Sequence, residues 1–518
     1  MSESEIPLST VYPVCHRLLP VALTGLPDPD DLPRILTHHP EQITRHPFLA
    51  NLAQIELICF QLHHQPPKLP DTIDAYMINP ALELIETQWN RLPEFLGDQT
   101  IEPEPEAGMI LIFRHPHDQS VQVLTPDNHD LLALKMISEN LDSRALAMES
   151  EASLGQIDDI IYRAIQRGLL LAPPSAIRRD QDFPRGTITD PQRFSAPTFT
   201  LQWHITQTCD LHCRHCYDRS KRTEVSLDQG LRILDDLYDF CRARHVFTQV
   251  SFTGGNPLLH PNFKALYQAA ADRGFMTAIL GNPMPKERME EILTIQKPVF
   301  YQVSLEGLEE HNDYMRGTGH FQRTITFLKL LKEMGIYSMV MLTLTRANQD
   351  EVLQLAETLR DQVDLFTFNR LAMVGEGAAL ASAPTDGFAD FLVQYQEMAK
   401  TSPHLSLKDN LFNLLRQQQN QELGGGCAGY GCGAAFNFVS LLPDGEIHAC
   451  RKFPSPIGNI FKESLSAIYD GHMARQYRNG PEECRDCEIR PVCGSCLAVS
   501  HGFGLDVFKH RDPYCFKE

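Results

Sequence analysis

From Thr198 onward, short apolar segments of strand type alternate with segments whose apolar residues follow a helical period. The first helical segment covers residues 227–244, and Ser226 with Gln229 supplies the capping box that begins a helix. Strands that alternate with helices predict a parallel sheet with right-handed crossovers. We therefore expect an α/β fold over residues 196–400, an open (β/α)6 barrel with candidate strands 199–205, 246–252, 275–280, 299–305, 337–344 and 365–368.

The chain before this barrel has a different pattern. Residues 1–100 have helix-compatible apolar spacing and predict a helical N-terminal domain, followed by an acidic, proline-bearing linker at 102–106. Two candidate strands, 109–113 and 121–124, then precede two candidate helices. Residues 108–175 are therefore predicted to form a small winged-helix-like domain, which a second proline-bearing linker over 173–196 connects to the barrel.

Length and charge narrow the classes of function. A chain of 518 residues is too long for one ordinary core and predicts three or four domains. The net charge of −20 argues against a general nucleic-acid-binding face and admits a basic peptide as partner. The sequence has no apolar run long enough for a bilayer and no signal peptide at Met1. We therefore expect a cytoplasmic protein with neither a membrane nor a nucleic acid as partner.

The fourteen cysteines are clustered, which in a cytosolic chain indicates metal sites rather than disulfides. Cys15, Cys59 and Cys241 are isolated and are expected to be buried apolar residues. A group with spacing C-x3-C-x2-C lies on the loop after the first barrel strand and consists of Cys209, Cys213 and Cys216. Three thiolates suit a [4Fe–4S] cluster with one ligand missing, while a zinc site completed by His212 or His215 is the alternative.

A second group of eight cysteines lies near the C-terminus, at positions 427, 432, 450, 484, 487, 493, 496 and 515. A hairpin turn over residues 442–445 is predicted to bring Cys432 and Cys450 together. Eight cysteines make two sets of four, and four-thiolate ligation suits [4Fe–4S] clusters. Two zinc ribbons are the alternative interpretation.

The C-x3-C-x2-C loop resembles that of the radical S-adenosylmethionine (SAM) superfamily, whose open iron binds the amino and carboxylate groups of SAM. The resemblance is strengthened one strand later by Thr253, Gly254, Gly255, Asn256 and Pro257. The family motif is Gly-Gly-Glu-Pro, so Asn256 keeps an acceptor oxygen but lacks the charge. Ser304, and Arg316 twelve residues on, resemble the residues through which peptide-modifying members contact SAM.

The C-terminal cysteines resemble those of the SPASM domain, which carries two auxiliary [4Fe–4S] clusters. The resemblance therefore predicts a SPASM domain over residues 420–518. The resemblance implies one cluster on Cys427, Cys432, Cys450 and Cys496, a second on Cys484, Cys487, Cys493 and Cys515, and three clusters in the whole chain. One departure is that two residues, rather than the family's three, precede Cys496. In related sulfatase-maturing enzymes an Asp base follows the hairpin cysteine. Here Arg451 and Lys452 follow Cys450, which disfavours formylglycine formation.

These resemblances imply a radical SAM enzyme that modifies a ribosomally made precursor peptide, at or through cysteine, by means of a 5′-deoxyadenosyl radical. The electron would come from a donor such as flavodoxin or ferredoxin. The chain as a whole looks most like maturases of seleno- or thio-peptides. Two alternatives are a SPASM enzyme acting on a small molecule or another protein, and a non-catalytic peptide-binding metal protein.

Residues 108–175 resemble the small winged-helix domain that captures leader peptides, in which the leader adds as a strand to a sheet edge. This resemblance implies a precursor peptide with a leader as the partner. Two other interpretations are a winged helix that only packs on its neighbour and one that binds DNA.

Overall fold

The chain folds as two units, Met1–Pro174 and Ser175–Glu518. They are described in a computed structural model that covers residues 7–19 and 29–517. The parts of the predicted terminal domains at residues 1–6, 20–28 and 518 lie outside the described residues. The predicted domain end near residue 100 falls inside the first unit, and the predicted end at residue 175 falls at its border.

The first unit begins with helices, as predicted, but does not stay helical to residue 100. The helices are α1 (Leu8–Val11), α2 (Cys15–Leu18), α3 (Leu32–His38) and α4 (Leu49–His64). Two strands follow, β1 (Met77–Ile78) and β2 (Leu82–Thr87), before α5 (Leu92–Gly97). The helical prediction was wrong for these strands, because β2 alternates buried and exposed residues from Ile85 to Thr87 and pairs with a strongly apolar strand.

That apolar strand, β3 (Gly108–Arg114), is the centre of a three-stranded antiparallel sheet in the order β2-β3-β4, where β4 is Val121–Leu124. Both faces of β3 are buried. Ile110 and Ile112 pack in the core formed with the N-terminal helices, whereas Leu111 and Phe113 pack in the core of the helices that follow. The acidic run 102–106 is therefore inside this unit, where Asn90 and Glu104 exchange backbone hydrogen bonds.

Three helices complete the first unit: α6 (Asn128–Ser138), α7 (Ser143–Glu149) and α8 (Leu154–Gln166). Asp127 caps α6 and Ser153 caps α8, each in a reciprocal capping box with the third helical residue. β5 (Leu170–Leu171) then pairs antiparallel with β1. Two strands followed by helices are present here as predicted.

The second unit is built on six parallel strands, and the predicted α/β partial barrel is confirmed. All six predicted strands are present, in the spatial order β6 to β11: β6 (Thr198–Thr206), β7 (Phe247–Gly254), β8 (Met276–Leu280), β9 (Tyr301–Ser304), β10 (Ser338–Leu344) and β11 (Leu365–Arg370). The helices between and after them are α9 (Leu227–Ala243), α10 (Phe263–Asp272), α11 (Lys286–Leu293), α12 (Glu309–Arg316), α13 (His320–Glu333), α14 (Val352–Thr358), α15 (Phe388–Ala399) and α16 (Phe412–Gln418).

The C-terminal segment continues the same sheet. β12 (Phe438–Leu441) lies parallel to β6, and β13 (Glu446–His448) and β14 (Pro456–Asn459) follow antiparallel. The predicted hairpin joins β12 to β13, and Gly445 takes the left-handed conformation that its turn requires, with φ of 85°. The remaining helices are α17 (Leu465–Asp470), α18 (His472–Asn479) and α19 (Leu497–Gly502).

The predicted linker over residues 173–196 packs on the C-terminal segment. Arg179 is buried and donates hydrogen bonds to the carbonyl oxygens of Tyr430 and Cys432. Its guanidinium lies 4.0 Å from the ring centre of Phe436. Among residues 7–19 and 29–517, no helix has both the length and the hydropathy that crossing a bilayer requires.

Candidate functional site

The C-x3-C-x2-C cysteines lie on the loop that leaves β6, and the end of β7 packs directly on that loop. The amide of Gly255 donates to the carbonyl of Thr206, and the amide of Asn256 to that of Thr208, both at 2.8 Å. A Cβ atom on Gly254 would lie 2.2 Å from the Thr206 carbonyl oxygen. The glycines are therefore needed for the close contact between these two backbones.

Polar side chains from three segments meet beside Cys209. Asn256 is fully buried, and its Nδ2 donates to Oδ1 of Asp210 at 3.0 Å. Asn282, which follows β8, donates to the same oxygen at 2.6 Å and lies 3.5 Å from Cys209 Sγ. Asp210 and Asn282 were not predicted as site residues, because only the parallel order of the strands brings them together.

A buried charged cluster lies beside Cys213. Arg316 donates through Nε and Nη2 to Oε1 of Glu306, at 3.0 and 2.5 Å, and Glu306 is 1% exposed. Nη1 of Arg316 lies 3.7 Å from Cys213 Sγ, and His215 Nε2 lies 3.2 Å from Glu306 Oε1. Burial alone raises the pKa of Glu306, but the charges of His215 and Arg316 outweigh it and hold that pKa well below its usual value.

Arg316, which was predicted to contact SAM, belongs to this cluster. Its Nε and Nη2 donate to Glu306, and the N–H groups that remain, on Nη1 and Nη2, face Cys213 and His215. Ser304, the other predicted contact, is the last residue of β9 and is half-buried. Glu306 was missed, although its place in the Ser-x-x-Gly stretch between these two residues was a usable signal.

A residue of the C-terminal segment reaches the strand ends of the barrel. Arg451 donates to Thr253 Oγ1 at 2.9 Å, and its guanidinium lies 5.2 Å from the ring centre of Tyr217. The Tyr217 hydroxyl lies 3.1 Å from a ring nitrogen of His204. Burial, and then the charge of Arg451, lower the pKa of His204 well below its usual value. The residue after Cys450 is thus part of the site around the first cysteine loop.

The C-terminal cysteines lie in two groups in the structure, and their assignment to two clusters stays a prediction. In the first set, burial raises the pKa of Cys432 to about 12, and the neighbouring thiolates that add to this effect are those of Cys496, Cys427 and Cys450. The second set lines one small cavity: Cys484, Cys487, Cys493 and Cys515. Burial also raises the pKa of Cys484 to about 11, with Cys487 and Cys515 contributing.

The thiol chemistry fits iron–sulfur clusters. Burial raises the pKa of Cys213 and Cys216 in the first loop as well, so thiolates at all three places need the counter-charge that bound metal supplies. No three His, Cys, Asp or Glu side chains in the described ranges gather as ligands of a single metal ion. The four ligands of a cubane are instead spread over separate irons.

Comparisons with known proteins agree with this assignment of the two cysteine regions. Residues 203–359 match the radical SAM superfamily, and residues 432–488 match SPASM, an iron–sulfur cluster-binding domain. The antilisterial bacteriocin subtilosin biosynthesis protein AlbA of Bacillus subtilis is 26% identical over 333 residues, which are 60% of this chain and 69% of that protein. An AdoMet-dependent heme synthase of Methanosarcina barkeri is 24% identical over 349 residues, 61% of this chain and 95% of that protein.

Among solved structures, Streptococcus suis SuiB has a similar fold, with a TM-score of 0.51 and 18% identity. The alignment covers 79% of this chain and 97% of SuiB. SuiB bound to its precursor peptide SuiA aligns over the same shares, with a TM-score of 0.50 and 17% identity. The aligned part is larger than the second unit, so the similarity of fold extends into Met1–Pro174.

Proposed function

We propose that this chain, which carries a radical SAM domain and a SPASM domain, is an enzyme that modifies a ribosomally made peptide, at or through a cysteine of that peptide. The observation that carries the proposal is the extent of the similarity. A bacteriocin biosynthesis protein matches the barrel and SPASM regions, and the fold shared with a protein that binds a precursor peptide continues into the first unit.

The cofactors are SAM and iron–sulfur clusters, and we assign three [4Fe–4S] clusters to this chain. Cys209, Cys213 and Cys216 would hold the cluster that takes SAM. The auxiliary clusters would be held by two sets of four: Cys427, Cys432, Cys450 and Cys496, and Cys484, Cys487, Cys493 and Cys515. The proximity of Cys427, Cys450 and Cys496 to Cys432, and the shared cavity of the second set, support this assignment. When bound, SAM and its cluster supply a carbon radical able to remove a hydrogen atom from the substrate.

The residues of the chain bind and orient these groups. SAM would be contacted by Thr253, Gly254, Gly255, Asn256, Pro257, Ser304 and Arg316. Glu306 holds the Arg316 guanidinium in place and leaves Nη1 facing Cys213. This contact favours the thiolate form of Cys213, because a guanidinium donates a charge-assisted hydrogen bond. A flavodoxin or ferredoxin would be the electron donor for the cluster that takes SAM.

The first unit is proposed to bind the leader of the precursor peptide. β4 pairs with β3 along one edge and with no second strand in the described sheet. A sheet edge without a partner strand can accept an extended peptide as an added strand, with main-chain hydrogen bonds supplying most of the affinity. The helices that pack under the sheet give the edge a rigid support.

A second candidate is a small-molecule substrate. It is favoured by the heme synthase of Methanosarcina barkeri, of which this chain covers 95%. That match spans only 61% of this chain, so a small-molecule substrate would not explain the function of the rest of the chain. The peptide substrate accounts for both units, and we therefore prefer it.

The experiment is co-expression of the chain with a short, cysteine-containing peptide, if one is encoded beside its gene, followed by mass spectrometry of the peptide. The expected result is a peptide that has lost hydrogen, with the change located at or next to a cysteine by fragmentation. The same co-expression with Cys209, Cys213 and Cys216 all replaced by Ala is the control and should return unmodified peptide. Turnover of a porphyrin or another small molecule, with the peptide unchanged, would favour the second candidate.

A further inference from the structure

The carboxylate of Asp210 lies beside Asn256, the residue of the Gly-Gly-Asn-Pro stretch that lacks the charge of the family's Glu. Asn256 stands where the family motif has Glu, and an amide cannot neutralise the ammonium of SAM. Its Nδ2 donates to Asp210 Oδ1 at 3.0 Å. A negative charge therefore lies within hydrogen-bonding distance of Asn256, but on the cysteine loop rather than on the Gly-Gly-Asn-Pro stretch.

The position of Asp210 is fixed from two sides. Asn282 Nδ2 donates to the same Oδ1 at 2.6 Å, and the carbonyl of Asn282 in turn accepts a hydrogen bond of 2.7 Å from the Tyr301 hydroxyl. Tyr301 is completely buried. Both amide contacts fall on Oδ1, which leaves Oδ2 for a further donor.

Asn256 adds a second acceptor. Its side chain is fully buried, yet among the described residues no donor reaches its Oδ1. A buried acceptor without a partner is unfavourable, so this oxygen is available to a donor that the described chain does not supply. Gly281 packs closely against this oxygen, because a Cβ atom there would lie 3.2 Å from it and 2.9 Å from the Tyr301 hydroxyl.

We infer that Asp210, together with Asn256, forms the acceptor site for the ammonium group of SAM in this chain. Asp210 supplies the charge, and Asn256 supplies the buried oxygen. The inference rests on the proposed function, because SAM binding at this loop is part of that proposal. It makes Asp210 a cofactor-binding residue that the motif comparison alone overlooks.

The experiment measures SAM affinity by equilibrium dialysis on the reconstituted full-length enzyme. Asp210→Asn should weaken SAM binding about tenfold or more, the effect of losing one charge-assisted hydrogen bond. It should leave the affinity for a SAM analogue without the amino group unchanged. The double variant Asp210→Asn with Asn256→Glu returns the charge to the other partner and should recover SAM affinity to within about threefold of the parent. Asp228→Asn, an exposed residue of α9, is the matched control and should change neither affinity.

Equal weakening of SAM and of the analogue by Asp210→Asn would overturn the inference, as would no weakening at all or a double variant that does not recover. Iron and sulfide content and the electron paramagnetic resonance spectrum of the reduced enzyme without SAM report whether the cluster is intact. A parent enzyme with intact clusters that binds no SAM would count against the proposed function instead. The two failures are therefore distinguishable.

Discussion

Arg370, at the end of β11, forms a two-pronged ion pair with Asp512 near the C-terminus. Nη1 and Nη2 of Arg370 donate to the two carboxylate oxygens of Asp512, each at 2.7 Å, and both side chains are 2% exposed. Asp512 also accepts hydrogen bonds from the backbone amides of Cys496 and Tyr514. The last barrel strand is thereby linked to the segment that carries cysteines of both auxiliary sets.

Arg370→Leu should destabilise the protein strongly. It leaves Asp512 and Asp409 as buried carboxylates without their cation, and breaking a buried pair in this way costs about 3–5 kcal/mol. The matched control is Arg360→Leu. Arg360 pairs with Glu357 at 2.6 Å at the surface, where solvent screens such a pair and its loss should change stability little. Urea unfolding of both variants, followed by circular dichroism, tests the difference, and equal midpoints would contradict the prediction.

The reconstituted protein should contain about 12 iron atoms, four in each of three cubanes. Replacing Cys484 and Cys487 together by Ala should remove about four of them and leave the absorbance of the other clusters. Replacing Cys432 and Cys450 together should remove a different four. Replacing Cys59, which is isolated and partly buried, should remove none. Protein that contains zinc and no acid-labile sulfide would disprove the cluster assignment.

Replacing Cys209, Cys213 and Cys216 together by Ala should abolish formation of 5′-deoxyadenosine from SAM. The auxiliary clusters should remain, because their thiols come from separate parts of the chain. Chromatography of the nucleoside products under reducing conditions measures the first effect, and iron analysis measures the second. SAM cleavage that survives this change would refute the assignment of the first loop.

The barrel was predictable because strands of a parallel sheet carry short apolar runs, and β10 has four apolar residues in succession at 339–342. The strands at 77–87 were not predictable, because β2 carries a short and partly exposed pattern and depends on pairing with β3. The addition of β12 beside β6 also went unpredicted, since no local pattern specifies which edge a distant strand joins.

The residues of the candidate site likewise divide into those that the sequence predicted and those that it did not. The cysteines were selected because metal ligands have short, characteristic spacings. Asp210 and Asn282 have no such spacing, and Asp210 lies 46 and 72 residues from the Asn256 and Asn282 that contact it. The buried pairing of Arg316 with Glu306 is visible only in the folded chain.

The first unit should be needed for a full-length precursor and not for SAM cleavage. Deleting residues 1–172 removes the sheet edge at β4 and, with it, the proposed anchor for the leader. Modification of the full-length precursor should then fall about a hundredfold or more, the scale on which tethering raises the effective concentration of a linked group. Formation of 5′-deoxyadenosine without peptide should stay near that of the parent, because the first cysteine loop lies in the other unit.

Two controls separate leader binding from a general loss of structure. Iron content of the shortened chain should equal that of the parent, because all eleven cysteines assigned to clusters lie after residue 172. A precursor without its leader should be modified poorly, and at similar rates, by both proteins. Calorimetry with the leader peptide then locates the binding, which should be seen with the full chain and be lost after the deletion. Leader binding that persists in a chain beginning after residue 180 would show that recognition lies in the second unit and that the sheet of the first unit serves another purpose.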